Sequence, residues 1–202
     1  MNTKRENADK LQVKDYINIG IFSAILMVLY LAASMTNLTP VTYLIYSPAT
    51  AFVGAIPFLF ITTKIPKKGT VLLFSVVPFL YFILLAGVEG MIVAAFLAVF
   101  AIIAELILRN DRKNFKKITL AYIVLAMWNA IGGQFRLFVT TDSYLEYAKN
   151  LGLSEIYIEY LRTHVNYLTW VIVIVGSILA ALVGIYLSRL IFKKHLSKAG
   201  IL

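Results

Sequence analysis

Apolar residues along this chain do not scatter; they gather into six long runs divided by short polar stretches. The runs fall at about Tyr16 to Thr36, Pro48 to Thr63, Val71 to Ala86, Gly90 to Leu108, Ile118 to Thr140 and Tyr167 to Phe192. A helix needs about 20 apolar residues to cross ~30 Å of hydrocarbon, and a little fewer where flanking basic side chains reach back to the interface. Each run therefore predicts a transmembrane helix, and the predicted fold is all-α: a six-helix polytopic bundle forming a single membrane domain over residues 1–202. Gly87, Val88, Glu89 and Gly90 alone separate the third run from the fourth, which predicts a tight hairpin. Ser47 followed by Pro48 reads as an N-cap and first helical position, leaving Asn37 to Tyr46 as an ordered loop.

Composition strengthens this picture. With 60% apolar and 14% charged residues, the 202-residue chain lacks the polar surface that a water-soluble domain needs. The net charge of +9 does not make a nucleic-acid binder, because the basic residues lie between apolar runs rather than on one folded surface. Cysteine is absent, which excludes disulfides and thiolate chemistry. The first fifteen residues, with Lys4, Arg5, Lys10 and Lys14, are polar and carry no cleavage pattern, so the first apolar run is expected to stay as an anchor.

Charge then orients the bundle. Lysines and arginines cluster in the N-terminal tail, at Lys64, Lys67 and Lys68, at Arg109, Arg112, Lys113, Lys116 and Lys117, and at Arg189, Lys193, Lys194 and Lys198; only Arg136, Lys149 and Arg162 lie elsewhere. Basic residues in short loops stay on the cytoplasmic side, which predicts both termini inside and an even number of spans. These clusters are read as topology signals with attraction to anionic lipid. The longest outer segment, Thr141 to Asn166, sets Asp142, Glu146, Glu155 and Glu159 against Lys149 and Arg162 with apolar residues at helical spacing. It predicts an amphipathic helix or helical pair, acting either as a lid over an outward pocket or as a solvated connector.

Polar groups at membrane depth are costly and normally face the bundle interior, where they meet a partner or a ligand. Asn129, Gly133, Arg136 and Thr140 stand at i, i+4, i+7 and i+11 of the fifth run, one helical face in its outer half. That set suits an anionic or hydrogen-bonding ligand; alternatively Arg136 reaches the interface and Asn129 bonds a neighbouring helix. Trp128 and Gln134 lie on adjoining faces and rank lower. Tyr160, His164 and Tyr167 share another outer face, with Asn166 and Trp170 beside them, either for binding or as an interfacial aromatic belt with a surface histidine. Glu89 is expected in a solvated turn, and Glu105, four residues before Arg109, predicts an ion pair within its helix.

Absences narrow the function. The chain has no phosphate-binding Gly-x-x-x-x-Gly-Lys-Ser/Thr loop, no paired-histidine metal motif, no Gly-x-Ser-x-Gly elbow and no group of intramembrane acids. We therefore expect no enzyme, no metal site and no cofactor, but a binding subunit.

Three segments carry a family resemblance: Lys14-Asp15-Tyr16-Ile17-Asn18-Ile19-Gly20-Ile21-Phe22-Ser23-Ala24, the stretch from Pro48 to Pro57 running into Lys64, and Leu125-Ala126-Met127-Trp128-Asn129-Ala130-Ile131-Gly132. With the length and topology, they resemble the substrate-binding S components of energy-coupling-factor (ECF) transporters, in the Trep_Strep or MptD-like group. The resemblance implies a bacterial plasma-membrane protein that captures a vitamin-like micronutrient outside and works with a scaffold (T) subunit and two ATPase subunits. It implies that Gly20 and Ala24, standing for the usual pair of alanines, contact the scaffold, with packing inside the bundle as the alternative. It also implies that the first outer loop, with Tyr43 and Tyr46, covers a ligand. The expected ligand set is Asn129, Arg136, His164, Tyr167 and Trp170. A tetrapyrrole such as haem is a second substrate class, with Arg136 and Arg162 meeting propionates. An autonomous carrier or channel and a non-transport assembly factor or sensor remain as rivals.

Overall fold

A computed structural model describes residues 10–85 and 87–195. Those residues hold no strand. The helices are α1 (Val13–Ala33), α2 (Pro40–Tyr43), α3 (Tyr46–Val53), α4 (Ala55–Lys64), α5 (Thr70–Leu85), α6 (Gly87–Ile107), α7 (Phe115–Met127), α8 (Phe135–Val139), α9 (Thr141–Asn150), α10 (Glu155–His164) and α11 (Tyr167–His195). A 3-10 turn at Ser34–Leu38 prolongs α1, and a π-helix at Trp128–Gly133 joins α7 towards α8.

Local chemistry sets many of these boundaries. Gln12 and Asp15 cap α1 reciprocally, and the side chains of Thr39, Asn114 and Ser154 accept backbone N–H groups at the starts of α2, α7 and α10. Gly87 has φ +60°, a conformation costly for any residue with a Cβ, and there the chain reverses from α5 into α6. The expected N-cap at Ser47 is not found: α3 begins at Tyr46, Ser47 is inside it and fully buried, and Pro48 still lies in the first turn where its missing N–H costs nothing. The loop from Asn37 to Tyr46 contains the short helix α2.

Among the described residues, four helical stretches are long and apolar enough to cross a membrane: Val13–Leu38, Tyr46–Lys64, Glu89–Ile107 and Tyr167–Lys194. Thr70–Leu85 is apolar but shorter, and the expected continuous run from Ile118 to Thr140 is interrupted by the π-helix and by Gln134. Large apolar side chains stay uncovered along the outside of the bundle, including Ile17, Ile21 and Val28 on α1 and Val175, Leu179 and Val183 on α11. Such a surface suits contact with lipid or with another membrane-embedded chain.

The interior is built from Leu26, Phe58, Phe74, Tyr122, Trp128 and Ile185 with their neighbours. α11 closes against α3 and α4 along Gly176, Ala180 and Gly184. A Cβ at Gly184 would lie 2.7 Å from the Phe52 carbonyl and 3.0 Å from Ala55 Cβ, so the crossing needs glycine. Pro78, inside α5, cannot donate to the carbonyl of Phe74 four residues before it. The fully buried Ser23 hydroxyl of α1 lies 2.9 Å from Phe74 O, sharing its one proton between that carbonyl and Ile19 O of its own helix at 2.8 Å.

The basic segments meet at one end of the bundle. Lys67 pairs with Asp15 at 2.7 Å, and Lys64 donates to Asn18 Oδ1 at 3.1 Å. Glu105 does not pair with Arg109, because α6 ends at Ile107 and Arg109 has left the helical register. Its carboxylate instead accepts the N–H groups of Gly69 (2.7 Å) and Val71 (3.1 Å) at the start of α5 and pairs with Arg112.

Candidate functional site

At the opposite end, the sequence Trp128-Asn129-Ala130-Ile131-Gly132-Gly133 winds as a π-helix. Two glycines permit it. A Cβ on Gly132 would fall 2.3 Å from Phe96 Cβ of α6, and one on Gly133 would fall 2.1 Å from Asn129 Oδ1. The widened turn is pinned from three sides. Trp128 Nε1 donates to the Tyr30 hydroxyl of α1 at 3.4 Å, Asn129 Nδ2 to Thr50 Oγ1 of α3 at 2.8 Å, and Trp170 Nε1 of α11 to the Ala130 carbonyl at 2.9 Å. π-turns of this kind recur at functional sites because they break helical register and free polar groups.

The group left over is Gln134, the residue after the turn. It is 1% exposed, and neither Oε1 nor Nε2 has a hydrogen-bond partner. The hydroxyl of Ser47, on α3, and Asn37 Oδ1 are likewise buried without a partner. A buried amide left unpaired costs about 1–3 kcal/mol, so it marks a place that water or a ligand completes.

Beside the turn lies a cleft of about 260 Å³, lined by Glu89 and Val93 of α6, Gly132, Gly133 and Arg136 below, and Tyr144 above. Arg136 pairs with Glu89 and donates to Ser143 Oγ at 2.8 Å, while its guanidinium lies 6.0 Å from the Tyr147 ring. Glu89 is thus a half-buried ion-pair partner and not a solvated hairpin tip. A larger open trough of about 1110 Å³ runs between α9 and α10, and its walls are mostly surface side chains such as Glu146, Lys149 and Glu159.

The segment from Thr141 to Asn166 packs back onto the bundle. Leu137, Leu145, Tyr157 and Leu161 form their own buried cluster with Tyr43 against it. The Tyr43 and Tyr144 hydroxyls are 2.8 Å apart, and Tyr157 donates to the Asn37 carbonyl at 3.0 Å. The segment is therefore packed onto the stretch from Asn37 to Tyr46 rather than being a solvated connector. Burial pushes the Tyr43 phenol well above its ordinary value and that of Tyr157 up to about 12. Both stay neutral near pH 7, so these two tyrosines act through hydrogen bonds and ring contacts, while Lys149 and Glu155 add an exposed ion pair between α9 and α10.

The residues singled out by spacing are not all brought together. Asn129 is in the interior, Arg136 in the cleft and Thr140 on the exposed rim; the π-turn shifts the register on which their common face depended. Trp170 bridges α11 to the turn and stacks on Phe138 at 5.4 Å. Tyr46 is half-buried at the start of α3, and Tyr43 packs against the buried cluster of the Thr141 to Asn166 segment. His164 is exposed, stacked on Tyr160 at 4.0 Å, with Nδ1 2.9 Å from the Tyr160 carbonyl; Tyr167 is 78% exposed. Neither lines the cleft. Gln134, Tyr144 and Tyr157 were the residues that spacing undervalued; the Gly132-Gly133 pair was the signal that the helix is not regular there.

Gly20 and Ala24 both face outward on α1, and a Cβ built on Gly20 meets nothing within 4 Å. They do not pack within the bundle.

Comparison with protein families matches residues 13–198 to a model described as a hypothetical bacterial integral membrane protein, Trep_Strep. No curated protein and no solved structure matches.

Proposed function

The chain belongs to the Trep_Strep family of bacterial integral membrane proteins, and from that premise we propose that it is the substrate-binding membrane subunit of an ECF-type importer. In this reading the chain crosses the plasma membrane six times with its basic end in the cytoplasm, as the lysine and arginine distribution favours. It captures a vitamin-like micronutrient at the outer end, beneath the cover formed by the Asn37 to Tyr46 segment and α9–α10. It performs no catalysis and draws on a scaffold subunit and two ATPases, which meet it at Gly20 and Ala24. The observation that carries the reading is the buried, unpartnered amide of Gln134 at the end of the π-turn, whose residues Gly132 and Gly133 line a small cleft that Gln134 itself does not line.

A small ligand offering both a donor and an acceptor fits an amide best. The tetrapyrrole version draws less support, since Arg136 is already paired with Glu89 and His164 lies on the surface away from the cleft. The test is gentle isolation from the native membrane followed by mass spectrometry of small molecules and subunits. Recovery of one small molecule together with an ATPase-bearing complex is expected. Repeated recovery of neither would overturn the proposal, and transport by the purified chain alone in liposomes would favour an autonomous carrier.

A further inference from the structure

The geometry points to a zwitterion site: the cleft beside the π-turn takes a small molecule that carries an ammonium and a carboxylate on one carbon, as an amino acid does, with an apolar side group. This rests on the reading of this end as the place where a small molecule is captured, and narrows the chemical class of what is captured. Gln134 does not line the cleft and has no part in the argument.

Size sets the first limit. The cleft of about 260 Å³ falls below the ~300–1,000 Å³ of pockets that enclose a drug-sized ligand, so it suits a molecule of about amino-acid size.

Charge sets the second. The charged residues that line the cleft are Glu89 of α6 and Arg136 of α8, and they pair with each other. Each side chain is 22% exposed, so neither charge is fully solvated. A lone anion that drew Arg136 away would leave the Glu89 carboxylate partly buried without its counter-charge, and a lone cation on Glu89 would strand Arg136 in the same way. A ligand with both charges strands neither. Its carboxylate faces the guanidinium, its ammonium faces Glu89, and the charges alternate in sign around the site. Both side chains keep the capacity for this, because a guanidinium has several donors and a carboxylate several acceptor positions beyond a single contact.

The surroundings complete the site. Arg136 also donates to Ser143 Oγ of α9 at 2.8 Å and lies 6.0 Å from the Tyr147 ring, so its guanidinium is oriented from two elements before any ligand arrives. Ile92, Val93 and Leu151, with the rings of Tyr144 and Tyr147, supply apolar wall for the side group. A neutral molecule would gain from these walls alone.

The test uses the full-length protein in lipid nanodiscs, titrated with L-alanine, L-valine, L-leucine and L-phenylalanine and, for each, with its N-acetyl derivative, an anion alone, and its α-amide, a cation alone. At least one free amino acid is expected to bind, with both of its blocked forms at least about tenfold weaker. The variant Glu89→Gln/Arg136→Gln removes both charges together and strands neither, so it should fold, as thermal unfolding checks, and should bind the free amino acid at least about tenfold more weakly than the wild type. Should it not fold, the comparison of free and blocked forms on the wild type decides. Binding of a blocked form as tight as the free amino acid, undiminished binding by the folded variant, or no binding of any amino acid would overturn the proposal. Co-isolation of a different small molecule would then remove the zwitterion class and leave the capture reading standing, whereas recovery of no small molecule would count against both.

Discussion

Individual polar side chains in this bundle settle debts that the backbone incurs. Ser23 offers its proton to the Phe74 carbonyl that Pro78 leaves without a donor, sharing it with Ile19 O of its own helix, and it does so with no exposure. Ser23→Ala should lower stability by about 1 kcal/mol, the usual worth of an interhelical hydrogen bond in a membrane or slightly more. In a Pro78→Ala background the same change should cost less, because α5 then supplies its own N–H; equal costs in thermal unfolding of both backgrounds would show that the bond is incidental. Glu105 is the stronger case. Its carboxylate joins the start of α5 to Arg112, with both side chains about one-tenth exposed. Glu105→Ala should destabilise by about 3 kcal/mol, since it strands a poorly solvated arginine and two backbone donors. Gln134 behaves oppositely. Its amide has no partner to lose, so Gln134→Leu should leave the stability of the ligand-free protein unchanged or raised.

Secondary structure was legible in the sequence wherever a helix is regular and its surroundings apolar. The long runs marked α1, α5, α6 and α11, and the reversal at Gly87 followed from glycine between two apolar runs. Tertiary accommodation was not legible. The face drawn through Asn129, Gly133, Arg136 and Thr140 assumed 3.6 residues per turn, and the π-helix removes that periodicity where the site is built. Likewise, Glu105 and Arg109 have the spacing of an ion pair, but α6 stops between them and the contact goes to Arg112. The close crossing of α11 with α3 and α4 was readable in principle from Gly176, Ala180 and Gly184, though only the structure shows what they face. Gly184→Leu should force that crossing apart at a cost of about 1–3 kcal/mol, visible as a lower unfolding temperature, whereas Gly20→Leu should leave stability unchanged because nothing lies near its Cβ position. Similar losses in both variants would contradict the assignment of one as interior and the other as outward-facing.

For the whole molecule, charge, burial and polarity divide the two ends between different tasks. The basic end is closed by ion pairs and by Glu105 capping α5. At the far end, tyrosines are hydrogen-bonded between the Asn37 to Tyr46 segment and α9–α10, near a small cleft and a buried amide with no partner. An outward-facing strip on α1 carries Gly20, with nothing within 4 Å of its Cβ position, and Ala24; in the proposed assembly the scaffold subunit closes there. Gly20→Trp should therefore abolish co-isolation of a scaffold subunit without unfolding the chain, and retained association would remove α1 as the docking surface. The central claim is that Gln134 is kept unpaired for a ligand. Native mass spectrometry of gently isolated wild type and Gln134→Leu tests it most directly. A small-molecule adduct on the wild type, reduced at least about tenfold on an equally stable Gln134→Leu protein, is the predicted result; an adduct retained in full by the variant, or absent from both, would contradict it.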